Sequence, residues 1–291
     1  MKTNNTKEKG SKLFKSSIAV MAAIGLPLAG SMMQAQSLDS DPYPYRMDLD
    51  NAPQLNEPIN EFILGKTVQT QQQGSLQMTI GGSHERDGEG EGSARFSEIR
   101  ARAEYGVTDR LQLQAELPYQ IEDRRGTYDA QTNIGNVQVG AMYSLLRGDD
   151  PISLSAALDV QIPTGHQANL QSDMRVGGQM RASDETIWKP SLIVARDFGP
   201  TQVHANAQAE LGDVNRGLNY DIGAVYPIGA LAPTLELNAR TMDNARPEFY
   251  ATPGVFYSFS DRAQVGVGVP IGLNDQSTSS AFMAKFSFQL R

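Results

Sequence analysis

Between Phe96 and Tyr119 the chain alternates apolar and polar residues through two consecutive runs, a pattern that few folds accept. Ile99, Ala101, Ala103, Tyr105 and Val107 interleave with Arg100, Arg102 and Glu104. After a break at Thr108-Asp109-Arg110, Leu111, Leu113, Ala115, Leu117 and Tyr119 interleave with Gln112, Gln114 and Glu116. Strict period two puts every apolar side chain on one face of a β-hairpin and every charged or amide side chain on the other. In a soluble sandwich the apolar face meets a second sheet. In a membrane barrel it meets lipid, and the polar face lines a wet interior. The hairpin alone leaves both open.

The N-terminus narrows the setting. Lys2, Lys7, Lys9, Lys12 and Lys15 stand against one acid, Glu8, and precede the apolar run 18–29 and small residues around Ser31 and Ala35. A basic start, an apolar core too short to span a bilayer and a small-residue site describe a secretory signal peptide over residues 1–35, cut near Ala35 or at Ser31. Removing it takes the formal charge from −8 to −12, against the basic footprint that nucleic-acid binding needs. With no cysteine, an exported chain has neither a disulfide scaffold nor a lipidated N-terminal cysteine. Beyond Ala29 no apolar run approaches the ~20 residues of a membrane helix, so a spanning form must be a closed barrel.

Residues 36–74 are polar and punctuated by Pro42, Pro44, Pro53 and Pro58, with one weakly apolar piece at 59–64. They read as a periplasmic extension with little structure, because so few apolar residues do not offset the entropy of ordering them. A partial plug in a barrel mouth is the second reading. From Ser75 to Arg291 twelve strands follow, with short links at 108–110, 147–151, 197–200, 227–233 and 260–262. The long ones, at 84–92, 121–132 and 163–186, all fall on the other end. Tight periplasmic turns opposed to longer extracellular loops are the signature of an all-β, up-and-down antiparallel transmembrane barrel. Tyr105, Tyr119, Tyr143, Tyr226, Phe249, Tyr250, Tyr257 and Phe259, near strand ends, suit the two interface girdles. The facing of strands six and ten is open.

The run YGVTDRLQLQAELPYQ, followed by NVQVGAMYSLL and LDVQIPTG, resembles the "MetA-pathway of phenol degradation" family. The shared features are a Tyr-Gly-x-Thr-Asp-Arg turn, a strand ending Leu-Pro-Tyr and a later strand ending Pro-Thr-Gly, over about residues 96–166. The resemblance implies a Gram-negative outer-membrane transporter barrel that passes hydrophobic or aromatic compounds. It carries over no catalytic residues.

Period two aims Arg100, Arg102, Glu104, Glu116, Asp159, His204, Glu210, Asp221, Glu236, Arg240 and Lys285 into the lumen. Both signs are present, which favours cross-strand pairing over a one-sign filter. Gly266 and Gly268 leave a bare patch on the inner face of strand eleven, where the 36–74 extension or a ligand lies close, or where crowding is simply relieved. Three histidines without His-x-x-x-His or paired-cysteine spacing give no metal site, and no cofactor is expected. The expected function is a non-enzymatic outer-membrane channel for passive uptake of small hydrophobic or aromatic molecules. Its partners would be outer-membrane lipid and lipopolysaccharide, the solute and the barrel-assembly machinery. The alternatives are a sealed structural or surface-interaction barrel, and a lipid hydrolase with serine and histidine on neighbouring strands.

Overall fold

The structure, a computed structural model, describes residues 62–87, 94–124, 131–147, 152–165, 184–214, 216–243, 245–277 and 280–290. The signal sequence, most of the extension, and His166 lie outside them.

Twelve strands form one antiparallel sheet that closes on itself. They are β1 (Leu76–Asp87), β2 (Ala94–Thr108), β3 (Leu111–Arg124), β4 (Val137–Leu146), β5 (Ser153–Ile162) and β6 (Ile187–Phe198). Then come β7 (Thr201–Leu211), β8 (Arg216–Val225), β9 (Leu231–Met242), β10 (Glu248–Ser260), β11 (Ala263–Gly268) and β12 (Ala281–Leu290). Two short strands, Gln131–Ile134 and Ile271–Gly272, extend the ladders of β3 and β10. Each strand pairs with its neighbours in sequence, and β1 pairs with β12 from Leu76–Leu290 to Glu85–Ala281. Closure leaves no open edge, the condition for spanning lipid with strands.

The burial pattern is inverted relative to a soluble protein. Ile80, Leu192 and Leu235 are about half exposed, at 51%, 52% and 54%, while Asp159 and Glu236 are fully enclosed at 0% and 1%. Apolar side chains coat the outside and polar ones fill the middle, as the alternation requires. On β6, Trp188, Leu192 and Val194 point out and Lys189, Ser191, Ile193 and Ala195 point in. On β10, Phe249, Tyr257 and Phe259 point out and Tyr250, Thr252 and Phe256 point in. That corrects one girdle assignment: Tyr250 is 2% exposed and its hydroxyl donates to Glu248 at 3.2 Å.

Two predicted loops begin later than the sequence suggests. His84-Glu85-Arg86-Asp87 continues β1, paired with 94–97 of β2, so His84 is a strand residue. Residues 121–124 continue β3. Polar residues are no obstacle there, because the ladder is held by backbone groups and the alternation simply turns polar on both faces. The links 212–215 and 243–247, on the loop end, are also short. Long and short connections therefore do not alternate all the way round.

The extension departs most from the tail reading. Residues 62–75 run inside the barrel, with Phe62, Ile63, Val68 and Thr70 buried. Gly74 turns the chain into β1 with a φ of 79°, a left-handed conformation suited to glycine.

Candidate functional site: the lumen and the segment inside it

The segment 62–75 enters at the turn end. Thr70 Oγ1 donates to the Asp109 carbonyl (2.8 Å), Gln73 N to Asp109 Oδ1 (3.0 Å) and Gly74 N to the Gly106 carbonyl (2.8 Å). Gly106 is glycine for space: a Cβ there would sit 2.1 Å from the Gln72 carbonyl oxygen. Deeper in, Gln71 N donates to Gln112 Oε1 at 2.8 Å, and Ser155 Oγ donates to the Val68 carbonyl at 2.6 Å. Val68 packs with Met142, Ala157, Ile193 and Ala195 in a small apolar cluster inside the polar lumen.

At mid-height the segment meets a built seat. Three successive backbone N–H groups, of Ile63, Leu64 and Gly65, donate to the Glu236 carboxylate at 2.6, 3.0 and 2.8 Å. Such a nest of amides is an anion-binding concavity, here filled by the wall's own side chain. Lys285 Nζ donates to the Phe62 carbonyl at 2.7 Å, and Lys66 pairs with Asp159, which also accepts from Gln114. The side chains have matching recesses. A Cβ on Gly223 would stand 2.5 Å from the Phe62 ring, and one on Gly268 would stand 2.6 Å from Ile63. Ile63 also packs on Phe256 and Met283. Gly266 makes room for the Phe256 ring, so the bare patch on β11 serves both the extension and a crowded wall aromatic.

These contacts account for the order of so polar a segment. Burial of Phe62, Ile63 and Val68 contributes about 1.5–3 kcal/mol each, less than the cost of fixing the backbone. Charge-assisted bonds to enclosed carboxylates make up the difference, because an unpaired carboxylate there would be costly.

The remaining candidate residues pair among themselves. Arg100 bonds Glu98 and lies 3.8 Å from Glu116, and Arg102 Nε donates to Glu116 at 2.7 Å. Glu104 accepts from Gln112 and Gln77 at 3.0 and 3.2 Å. Glu210 faces Arg240 at 3.5 Å and Lys189 at 4.0 Å, and accepts from Asn219 at 2.9 Å. Asp221 accepts from Asn206 and Asn238 at 3.0 and 2.8 Å. Glu98, Lys189 and Lys66 join the site unannounced. Glu98 needed only one more step of the same alternation, and Lys189 needed the facing of β6.

His204 bonds Gln202 at 2.6 Å and meets the Phe62 ring edge-on at 4.8 Å, so its surroundings are those of a seat. The serine–histidine contact is elsewhere, between His84 Nδ1 and Ser97 Oγ at 2.9 Å on the outer face of β1 and β2. Among the described residues nothing hydrogen-bonds the other ring nitrogen of His84.

No family model matches the sequence, and no curated protein matches it either. Solved structures do match the fold. An outer membrane channel from Pseudomonas putida F1 aligns with a TM-score of 0.59 at 12% identity, covering 78% of this chain and 99% of its own. The KdgM porin aligns with a TM-score of 0.51 at 12% identity, covering 73% and 99%. At such identities the likeness is one of fold: a closed antiparallel barrel of the outer-membrane kind.

Proposed function

We propose that this chain is an outer-membrane channel for passive uptake of small hydrophobic or aromatic molecules, with the segment 62–75 as a removable stopper. The reading carries with it export by the 1–35 signal, turns on the periplasmic side, loops outside, and membership of the phenol-degradation transporter family. The observation that carries it is the inverted wall combined with a segment held by hydrogen bonds and knobs rather than by a continuous ladder. A structural filler would be expected to pair as a strand, whereas this one touches the wall at separate points and, at Ile63 and Leu64, lines a cavity of about 40 Å³. Water fits there; a benzene-sized molecule, which fills a cavity of about 150 Å³, does not. Passage through this point requires the segment to move.

Planar-bilayer recording of the full chain and of a deletion of residues 62–73 tests this. The deletion is expected to conduct steadily and the full chain in brief openings. Silence from both would overturn the channel. Steady conduction by the deletion, with a full chain that never opens and admits no solute in liposome swelling, would favour the sealed structural barrel, the reading that the small cavity supports.

A further inference from the structure

Lys66 is the only charged residue between positions 62 and 75, and the buried aliphatic Val68 stands two positions after it. Three successive inward positions of β5 receive the pair. Ser155 Oγ donates to the Val68 carbonyl at 2.6 Å, Ala157 packs with the Val68 side chain, and Asp159 holds the Lys66 ammonium. Strand positions two apart on one face are ~7 Å apart. The segment thus offers the wall an ammonium and an apolar body about that far from each other.

The wall builds both halves of this seat. The Asp159 carboxylate is fully enclosed and takes Gln114 Nε2 on its other oxygen. Gly140 faces it in register from β4, and a Cβ there would collide with the carboxylate. Met142, Ile193 and Ala195 complete the apolar half. Beside Ile193, Asn206 is 7% exposed and gives its amide nitrogen to Asp221. Its carbonyl oxygen is buried with no donor among the described residues, and such an acceptor marks where a donor belongs. Positive charge is short as well. From β5 to β9 the inward charges among the described residues are Asp159, Glu210, Asp221 and Glu236 against Lys189 and Arg240, and both cations lie against Glu210. Even with Lys285 of β12 attracting Glu236, this arc is one cation short without Lys66.

We infer that Lys66 and Val68 stand in the place of the solute, and that their seat is a subsite for a small primary amine with an apolar body. The amine's ammonium replaces that of Lys66 on Asp159, and its body replaces Val68 on Met142, Ala157 and Ile193. The room is what the two side chains vacate as the segment moves, not the small cavity beside Ile63. An alcohol of the same shape brings Asp159 no charge, and a carboxylate is repelled. The inference rests on the channel reading and narrows its solute class to monocations. It also links solute to stopper, since a solute that takes the seat removes one of the segment's holds.

Equilibrium dialysis of the full chain in uncharged detergent micelles, with radiolabelled pentylamine and 1-pentanol, tests it. Lys66→Ala/Val68→Ala empties the seat and leaves the segment's backbone bonds in place. That variant is expected to bind pentylamine saturably, one to one, with 1-pentanol weaker by about tenfold or more, as loss of a charge-assisted contact implies. The wild type, whose own side chains hold the seat, should bind the amine about tenfold more weakly than the variant. Adding Asp159→Asn should remove the preference for the amine. If the double variant does not assemble, Lys66→Ala with propylamine and 1-propanol makes the same contrast, the shorter amine fitting the space of one side chain. Equal, non-saturable partitioning of amine and alcohol, or a preference that survives Asp159→Asn, overturns the subsite. Conductance is scored separately. Amine binding by a barrel that never conducts would sink the channel and spare the subsite, and conduction without amine binding would do the reverse.

Discussion

The two sides of this lumen solve the same problem, lining a barrel with polar groups, in opposite ways. Across β2 and β3 the wall answers its own charges: Arg100 with Glu98, Arg102 with Glu116, Gln112 with Glu104. From β8 through β11 it is incomplete by itself. Glu236 finds its donors on Ile63, Leu64 and Gly65, and the recesses at Gly223 and Gly268 are shaped for Phe62 and Ile63. A self-paired wall gains little from any visitor, since its ion pairs are already made. A wall with an unanswered carboxylate and empty recesses is stable only when something sits in it. At Phe62–Gly65 the position of the stopper is thus set largely by what this side lacks.

The contrast breaks most sharply at Glu236. Replacing it with alanine removes the acceptor of three N–H groups, each such charged bond being worth about 1.5–3 kcal/mol. The open fraction in bilayer recordings should rise by about two orders of magnitude, and trypsin should gain access to Lys66. A variant as closed as the wild type would show that the carboxylate does not hold the segment. Next comes Gly223→Val. The three atoms nearest a Cβ there all belong to Phe62, so the first clash falls on the visitor. Overpacking of this kind costs about 1–3 kcal/mol, an expected rise in open fraction of about tenfold. Smallest is Arg102→Gln on the self-paired side. It leaves Glu116 with Arg100 at 3.8 Å, should cost about 1.5–3 kcal/mol in urea unfolding from vesicles, and should not change the open fraction. If Arg102→Gln opened the channel as Glu236→Ala does, the distinction between the two sides would be lost.

The same contrast explains what could be read from the sequence. Where a wall faces water and its own charges inside, as in β2, β3 and β7, the alternation is clean and the facing of Arg102, Glu116 and Glu210 follows from it. Strands six and ten resisted because Ile193, Ala195 and Phe256 put apolar groups on the inner face, where Val68 and Ile63 cover them. That lapse in the alternation was the available sign that something greasy occupied the middle. The segment itself carried almost none: its apolar residues are few and without period, and its order comes from partners such as Glu236 and Asp159 more than 90 positions away in sequence. Tyr250 misled for the same reason, an aromatic at a strand end that period two turns inward.

One contact has a bearing on how the molecule is assembled. The clip on the Phe62 carbonyl comes from Lys285, on the strand that closes the cylinder against β1. That grip cannot exist until the final strand has been synthesised and zipped to the first. A chain whose seam is still open therefore has its leader only partly fastened, and completion of the wall and capture of the leader become a single event.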